Sequence, residues 1–374
     1  MTPLNDLYGQ DVFKKIIRNS FNRDRIASTY LFYGDEGVGK WAGGIALAAL
    51  LNCEKPVVDE TGNVFDACGE CRNCRQISGY NFAEMYFAVP LPPHRNAAEE
   101  VDLTLEYLKL KKKEPYHIVS STRQLTIPIS MAREIKRRTA IMPPRGVKRV
   151  IIFDQMEKML AASADSLLKL IEEPPPETVI ILTARDPEHL LPTIQSRAQK
   201  IRFKPIGVEE ISDYLKAGYD LPDEKAGFYA RLARGSIGRA ITSIENENES
   251  SLRQTAFLVF KGLFTRDNPS SAAIACEFIN PNDRGETERV LTWWQSFLSD
   301  IIRLKFGRDS SAIVNNDYGP ELGKMGDRVT QGDGFSRMLN DIKETTLSLR
   351  RNVHIKPAVV KLVFNLRRYL DQSA

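Results

Sequence analysis

The first half of the chain alternates short apolar runs with segments of helical periodicity, and this alternation predicts a parallel sheet covered by helices. Thr29–Tyr33 reads as a buried strand that runs into a glycine-rich segment from Gly34 to Lys40. A helix is predicted over 41–52, further strands over 84–89, 149–154 and 178–183, and amphipathic helices over 130–139 and 163–173. Ser130 is a candidate N-cap, Pro143, Pro144 and Gly146 break the helix that follows it, and Pro174, Pro175 and Pro176 stop the next one. Residues 90–126, rich in Pro, Lys and Glu, read as an excursion from the sheet. Beyond Val208 the strand patterns fade, and long amphipathic helices are predicted over 288–306, 338–351 and 357–370, with Trp293 and Trp294 as packing residues of the first. Breaks near Ile206 and Gly207 and in the polar run 245–251 divide the chain into 1–206, 207–248 and 249–374.

Composition narrows the picture. At 374 residues the chain has room for two or three domains. Its longest small-apolar run, 42–51, falls well short of the roughly 20 residues that span a bilayer. The N-terminus lacks the basic and apolar regions of a secretory signal, so the expectation is a cytoplasmic protein with no membrane contact. Lys plus Arg number 52 against 48 Asp plus Glu, a net charge of +4, too balanced for a dedicated nucleic-acid binder. The charge is uneven, however. Arg133, Lys136, Arg137, Arg138, Arg145, Lys148 and Arg149 face one acid, Glu134, and a second cluster holds Arg197, Lys200, Arg202 and Lys204. Either a solvated face or a polyanion-facing patch accounts for such clusters.

The cysteines point to a metal. Cys68, Cys71 and Cys74 stand at CxxCxxC spacing, with Cys53 fifteen residues before them. Tight turns at this spacing aim neighbouring sulfurs at one ion, and four thiolates suit a closed, structural zinc site; free or redox thiols are the alternative. Cys276, beside apolar residues, reads as a core cysteine.

The glycine-rich segment fits G-x-x-x-x-G-K through Gly34, Gly37, Gly39 and Lys40, between a strand and a helix, where backbone N–H groups and the lysine can cradle phosphates. The next position ordinarily gives a hydroxyl to Mg²⁺, and here it is Trp41. The strand over 149–154 delivers Asp154, a second metal-holding position, but Gln155 follows where a carboxylate would activate water, and Glu157 is placed to point elsewhere. Two defects at the metal and water positions predict that ATP with Mg²⁺ is not bound productively.

The run from Arg149 to Met159, the segment from Ala161 to Pro175, Ile181 to Pro192, Ile194 to Phe203, Tyr8-Gly9-Gln10, the four cysteines, Gly235 to Ala240 and Asn352 to Pro357 together resemble the bacterial clamp-loader subunits of DNA polymerase III, which are AAA+ proteins, and most closely their non-hydrolysing delta-prime branch. The resemblance implies an α/β AAA+ phosphate-loop domain with an inserted zinc module, a small helical lid and an all-α C-terminal collar. It implies that Ser196 and Arg197 occupy a Ser-Arg-Cys motif whose arginine reaches a neighbour's ATP, with Ala198 a departure at the third position. An exposed ion pair is the plainer account of Arg197. Ala184 and Gly238 stand where motor subunits carry polar and arginine sensors, Arg239 comes one position late, and the interval after Cys53 is longer than the family's.

The implied function is a stator-like subunit that assembles with gamma/tau motor subunits and a delta subunit to load a sliding clamp on primer-template DNA. ATPase activity would then reside in the partners. A gamma/tau-like motor that binds or hydrolyses ATP is the alternative, with nucleotide binding without turnover between the two. A zinc-bearing DNA-binding module is the third reading, and it lacks a recognition-helix or histidine-containing finger pattern.

Overall fold

The computed structural model describes residues 3–121, 123–159, 169–245, 249–264, 283–307, 313–329, 333–350 and 353–370. Cys276, Asn352, the first half of the helix expected over 163–173 and residues 161–168 of the motif quoted above lie outside them. The chain forms two compact units, Met1–Thr242 and Ser243–Ala374.

In the first unit the elements run α1 (Asp11–Asn22), β1 (Thr29–Tyr33), α2 (Lys40–Asn52), β2 (Val57–Val58), β3 (Val64–Asp66), α3 (Arg72–Ser78), β4 (Met85–Ala88), α4 (Ala97–Lys113), α5 (Ile129–Arg138), β5 (Arg149–Phe153), β6 (Thr178–Ala184), α6 (Pro192–Arg197), β7 (Gln199–Arg202), α7 (Val208–Tyr219), α8 (Asp223–Leu232) and α9 (Ile237–Glu245). Five strands form a parallel sheet in the order β4-β5-β6-β1-β7. Every residue of β5 and β6 is buried, as expected of central parallel strands covered on both faces. The α/β phosphate-loop class expected of an AAA+ domain is therefore present, and the carboxyl ends of β1 and β5 open on one crevice, where such sheets bind ligands.

Buried groups pin this frame. Phe13, Phe32 and Phe203 form an aromatic cluster with centroids 4.8–5.2 Å apart that joins α1, β1 and the residue after β7. Arg149 opens β5 with its guanidinium buried and Nε 2.8 Å from Glu84. Breaking a buried pair of this kind costs about 3–5 kcal/mol, because one charge is stranded.

Several local expectations need correction. Ser130 is not the N-cap of α5; Pro128 holds that place, and the Ser130 hydroxyl donates to Glu100 at 2.6 Å. The excursion over 90–126 contains a seventeen-residue helix, α4, capped by the Asn96 side chain on the N–H of Glu99. β7 follows α6 directly; only Ile201 of its four residues is buried, which leaves a weak strand pattern.

The second unit is all-helical among its described residues: α10 (Glu249–Leu263), α11 (Arg284–Lys305), α12 (Gly319–Gly326), α13 (Gly334–Arg350) and α14 (Ile355–Arg368). The helices expected over 288–306, 338–351 and 357–370 appear as α11, α13 and α14, with boundaries shifted by a few residues. Trp293 and Trp294 are buried packing residues, and the Trp294 indole N–H donates to the carbonyl of Ala256 at 3.0 Å. Asp300, fully buried, accepts the backbone N–H groups of Val314 and Asn315 at 3.2 and 2.8 Å, which fixes the chain after α11. No described helix is long and apolar enough to cross a membrane.

Candidate nucleotide cleft and metal centre

The phosphate loop is built as its sequence requires. Gly37 and Gly39 have φ of 72° and 101°, values that side chains with a Cβ rarely adopt, and Gly39 leads into α2. The helix N-terminus and Lys40 should then face an anion. Instead, Lys40 folds back, and its Nζ donates to the carbonyls of Gly34 and Asp35 at 2.5 and 2.6 Å. Burial pushes the Lys40 ammonium down to about 8, against the opposing pull of Asp154, Glu157 and Glu36.

Trp41 turns into the protein. Its ring stacks on Phe87 at 5.1 Å and its N–H donates to the Tyr80 hydroxyl at 2.8 Å. Trp41 itself offers no oxygen to a metal.

Asp154 is buried at the end of β5, and both of its carboxylate oxygens have partners. Tyr107 donates to Oδ2 and Thr183 to Oδ1, each at 2.6 Å, while the Lys111 ammonium lies 3.8 Å from Oδ2. Burial alone would raise its pKa; Lys111, the two hydroxyl donors and Lys40 outweigh that and hold it below the usual carboxylate value. Burial depresses Lys111 despite the attraction of Asp154. Gln155 takes a left-handed backbone (φ 56°) and gives its N–H to Thr183 Oγ1 at 2.9 Å. Glu157 accepts the Arg185 N–H at 3.1 Å and stays within electrostatic reach of Lys40 and Asp154, with burial raising its pKa.

The geometry accounts for the residues at the two positions expected to be sensors. Gly238 sits so close to the loop that a Cβ would meet the Tyr116 carbonyl at 2.3 Å and the Gly37 Cα at 2.8 Å, so no arginine fits there. Arg239 instead reaches Asp35 at 3.6 Å, on the outer side of the loop. Ala184 closes β6, and the preceding Thr183 provides the hydroxyl that Asp154 uses.

The cleft is crowded by a segment that sequence reasoning left without a role. Tyr107 and Lys111 come from α4, and Tyr116 follows it; a Cβ on Gly39 would meet the Tyr116 ring at 2.8 Å. The cavity left among Lys40, Lys111, Tyr116, Asp154 and Gln155 is about 30 Å³, roughly the share of one water molecule.

Arg197 ends α6, apart from these groups. It is part-exposed (43 %), with Nη1 donating to the Thr193 carbonyl at 3.1 Å and Nη2 3.4 Å from Glu172. Ser196 donates to the same carbonyl at 3.1 Å. The plain ion pair and a guanidinium accessible to a neighbour therefore coexist.

The four cysteines come together. Cys53 caps the C-terminus of α2, Cys68 and Cys71 flank a turn with Gly69 at φ 74°, and Cys74 lies in the first turn of α3. Their sulfurs all lie within 4.8 Å of one another, against about 3.8 Å between corners of a zinc–thiolate tetrahedron. The N–H groups of Cys68, Cys71 and Cys74 point to the sulfurs of Cys53, Cys68 and Cys71 at 3.3–3.4 Å. Burial would raise the Cys68 thiol, but the N–H groups of Cys71 and Glu70 and the neighbouring thiols hold it down to about 7. Burial raises Cys53 and Cys74 instead, and it is the four gathered sulfurs that fit a closed tetrahedral zinc site. The long interval after Cys53 is a small hairpin, β2–β3, turned by Asp59, whose Oδ1 accepts from Thr61 and Asn63.

A family model described as "DNA polymerase III, delta subunit" matches residues 9–207. DNA polymerase III subunit delta' of Bacillus subtilis (strain 168) is 23 % identical over 354 residues, 94 % of each chain. DNA polymerase III subunit tau of Escherichia coli (strain K12) is 29 % identical over 334 residues, covering 83 % of this chain and 45 % of that relative. A solved structure of a DNA polymerase III gamma subunit-related protein from Thermotoga maritima aligns over 96 % of this chain and 98 % of that one, with 12 % identity and a TM-score of 0.44.

Proposed function

Because this chain belongs to the family described as DNA polymerase III, delta subunit, we propose that it is a non-hydrolysing, delta-prime-like subunit of the clamp loader. In this reading it assembles with gamma/tau motor subunits and a delta subunit in the cytoplasm. The assembly loads the sliding clamp onto primed DNA, and this chain lends Arg197 to a neighbouring ATP site. The single observation that carries the non-hydrolysing role is the commitment of Asp154 to Lys111, Tyr107 and Thr183, with Trp41 turned away into an aromatic cluster. A metal needs an open carboxylate and a hydroxyl, and neither is offered.

The charge and exposure of Arg197 support this role. A guanidinium offers fixed charge and forked donors to a γ-phosphate, and its own partner, Glu172, is part-exposed and loosely held at 3.4 Å. Cys53, Cys68, Cys71 and Cys74 would hold a structural zinc, which cross-links the hairpin insertion to α2 and α3; with four thiolates no position stays open for catalysis. The division into an AAA+ domain over 1–206, a lid over 207–248 and a collar over 249–374 is part of the same proposal.

The motor reading is supported by the intact Gly37, Gly39 and Lys40 and by the similarity to a tau subunit. Steady-state hydrolysis decides between the two: the purified chain alone should show none above background, with or without primed DNA. Turnover at the rate of a motor subunit would establish the second reading in place of the first.

A further inference from the structure

We propose that residues 97–118 are a built-in occupant of the nucleotide cleft, with the Lys111 ammonium standing where a nucleotide's metal would meet Asp154, the Tyr116 ring covering Gly39 and the Tyr116 carbonyl lying against Gly238. The inference deepens the non-hydrolysing reading and rests on it at one point, that the cleft is that of a nucleotide-binding domain. Three observations carry it. The first is chemical: a buried carboxylate needs a counter-cation, and Lys111, itself buried, brings it from α4 while also donating to the His117 carbonyl at 2.8 Å.

The second is steric. The Tyr116 carbonyl lies against Gly238 and the Tyr116 ring against Gly39, so the space over the loop shrinks to the 30 Å³ cavity. The third is that the segment is held from both sides of the crevice. The Tyr8 N–H donates to the Tyr116 hydroxyl at 2.9 Å, the Tyr80 hydroxyl donates to the Lys111 carbonyl at 3.0 Å, and the Tyr214 hydroxyl of α7 donates to Glu114 at 2.7 Å. A nucleotide would make such cross-crevice contacts only while bound; here the chain makes them permanently, and the domain keeps one conformation through a partner's ATP cycle.

The arm is separable by design of the fold. Leu91 and Thr126 exchange both backbone hydrogen bonds, each at 2.9 Å, so its two ends are already paired as in a hairpin. Replacing residues 92–125 by an Asn-Gly turn should therefore leave the sheet intact. The probe is a fluorescent N-methylanthraniloyl-ADP, titrated with and without Mg²⁺. The full chain should show no saturable binding at micromolar probe, and the excised chain at least about tenfold tighter binding. An excised chain that melts cooperatively and binds no better overturns the proposal, as does a full chain that binds the probe as tightly as the excised one.

If excision prevents folding, Lys111→Met in the full chain serves instead. Stranding the Asp154 charge should release the arm, so trypsin should cut at Lys109, Lys112 and Lys113 at least about tenfold faster and the probe should begin to bind. Unchanged cleavage with unchanged binding overturns the proposal. These outcomes are distinct from hydrolysis by the isolated full chain, which would instead remove the non-hydrolysing reading.

Discussion

The indole N–H of Trp41 donates to the Tyr80 hydroxyl at 2.8 Å, and with Phe87 and Tyr107 around it the ring forms part of an aromatic core at the point where a phosphate-loop helix would otherwise offer oxygen to a metal. Restoring the hydroxyl is then a packing problem. Trp41→Thr should destabilise the fold by about 3–5 kcal/mol through the cavity it leaves, and should yield no ATPase, since Asp154 stays occupied. A calorimetric or denaturant melt measures the first part; measurable turnover by the variant would refute the second.

Lys40 gives a pH signature. Its folded-state pKa, about 8, lies below the usual 10.5, so the fold resists protonation that the unfolded chain accepts. The penalty is complete below pH 8 and fades as pH rises toward 10.5; at about 1.4 kcal/mol per pH unit it is on the order of 3 kcal/mol. Lys40→Met should therefore be the more stable protein near pH 7, by on the order of 1–2 kcal/mol after the loss of two carbonyl contacts at about 1 kcal/mol or less each. The gap should narrow between pH 8 and 10. A gap that stays constant with pH would show that the lysine is not buried as an ammonium.

For the cysteine cluster, metal analysis of the purified chain should find zinc at equal stoichiometry. Cys71→Ser or a strong chelator should lower the melting temperature and expose the hairpin 57–66 to proteases, because the module loses the ion that joins its turns. Full stability retained in the metal-free protein would mark the thiols as unligated.

Arg197→Ala should leave the melting temperature unchanged, its pair with Glu172 being part-exposed. In the reconstituted assembly, hydrolysis at the receiving site should fall by roughly 10³–10⁵, and total DNA-stimulated turnover by that site's share. Arg197→Lys should not restore it, since an ammonium lacks the fork. Undiminished turnover would count against the role.

The sheet and the positions of Trp41 and Gln155 at its cleft were legible because they are local. β1, β4, β5 and β6 are continuous apolar runs, and Trp41 and Gln155 stand at fixed offsets from a glycine pattern. α4 was not legible as a helix, because its outer residues are charged and Tyr107 and Lys111 are buried in a cleft made by distant strands. Lys111 sits in a run of three lysines, and nothing local distinguishes it from its exposed neighbours. Only the fold brings it to Asp154, forty-three positions away.

That Asp154 is shared among three side chains has a consequence for the history of such a protein. Any change that frees Asp154 for a metal must first strand a buried partner, a tyrosine hydroxyl or an ammonium, and so lowers stability before it can add a function. Under the proposed non-hydrolysing role, packing rather than chemistry holds the cleft in its present form.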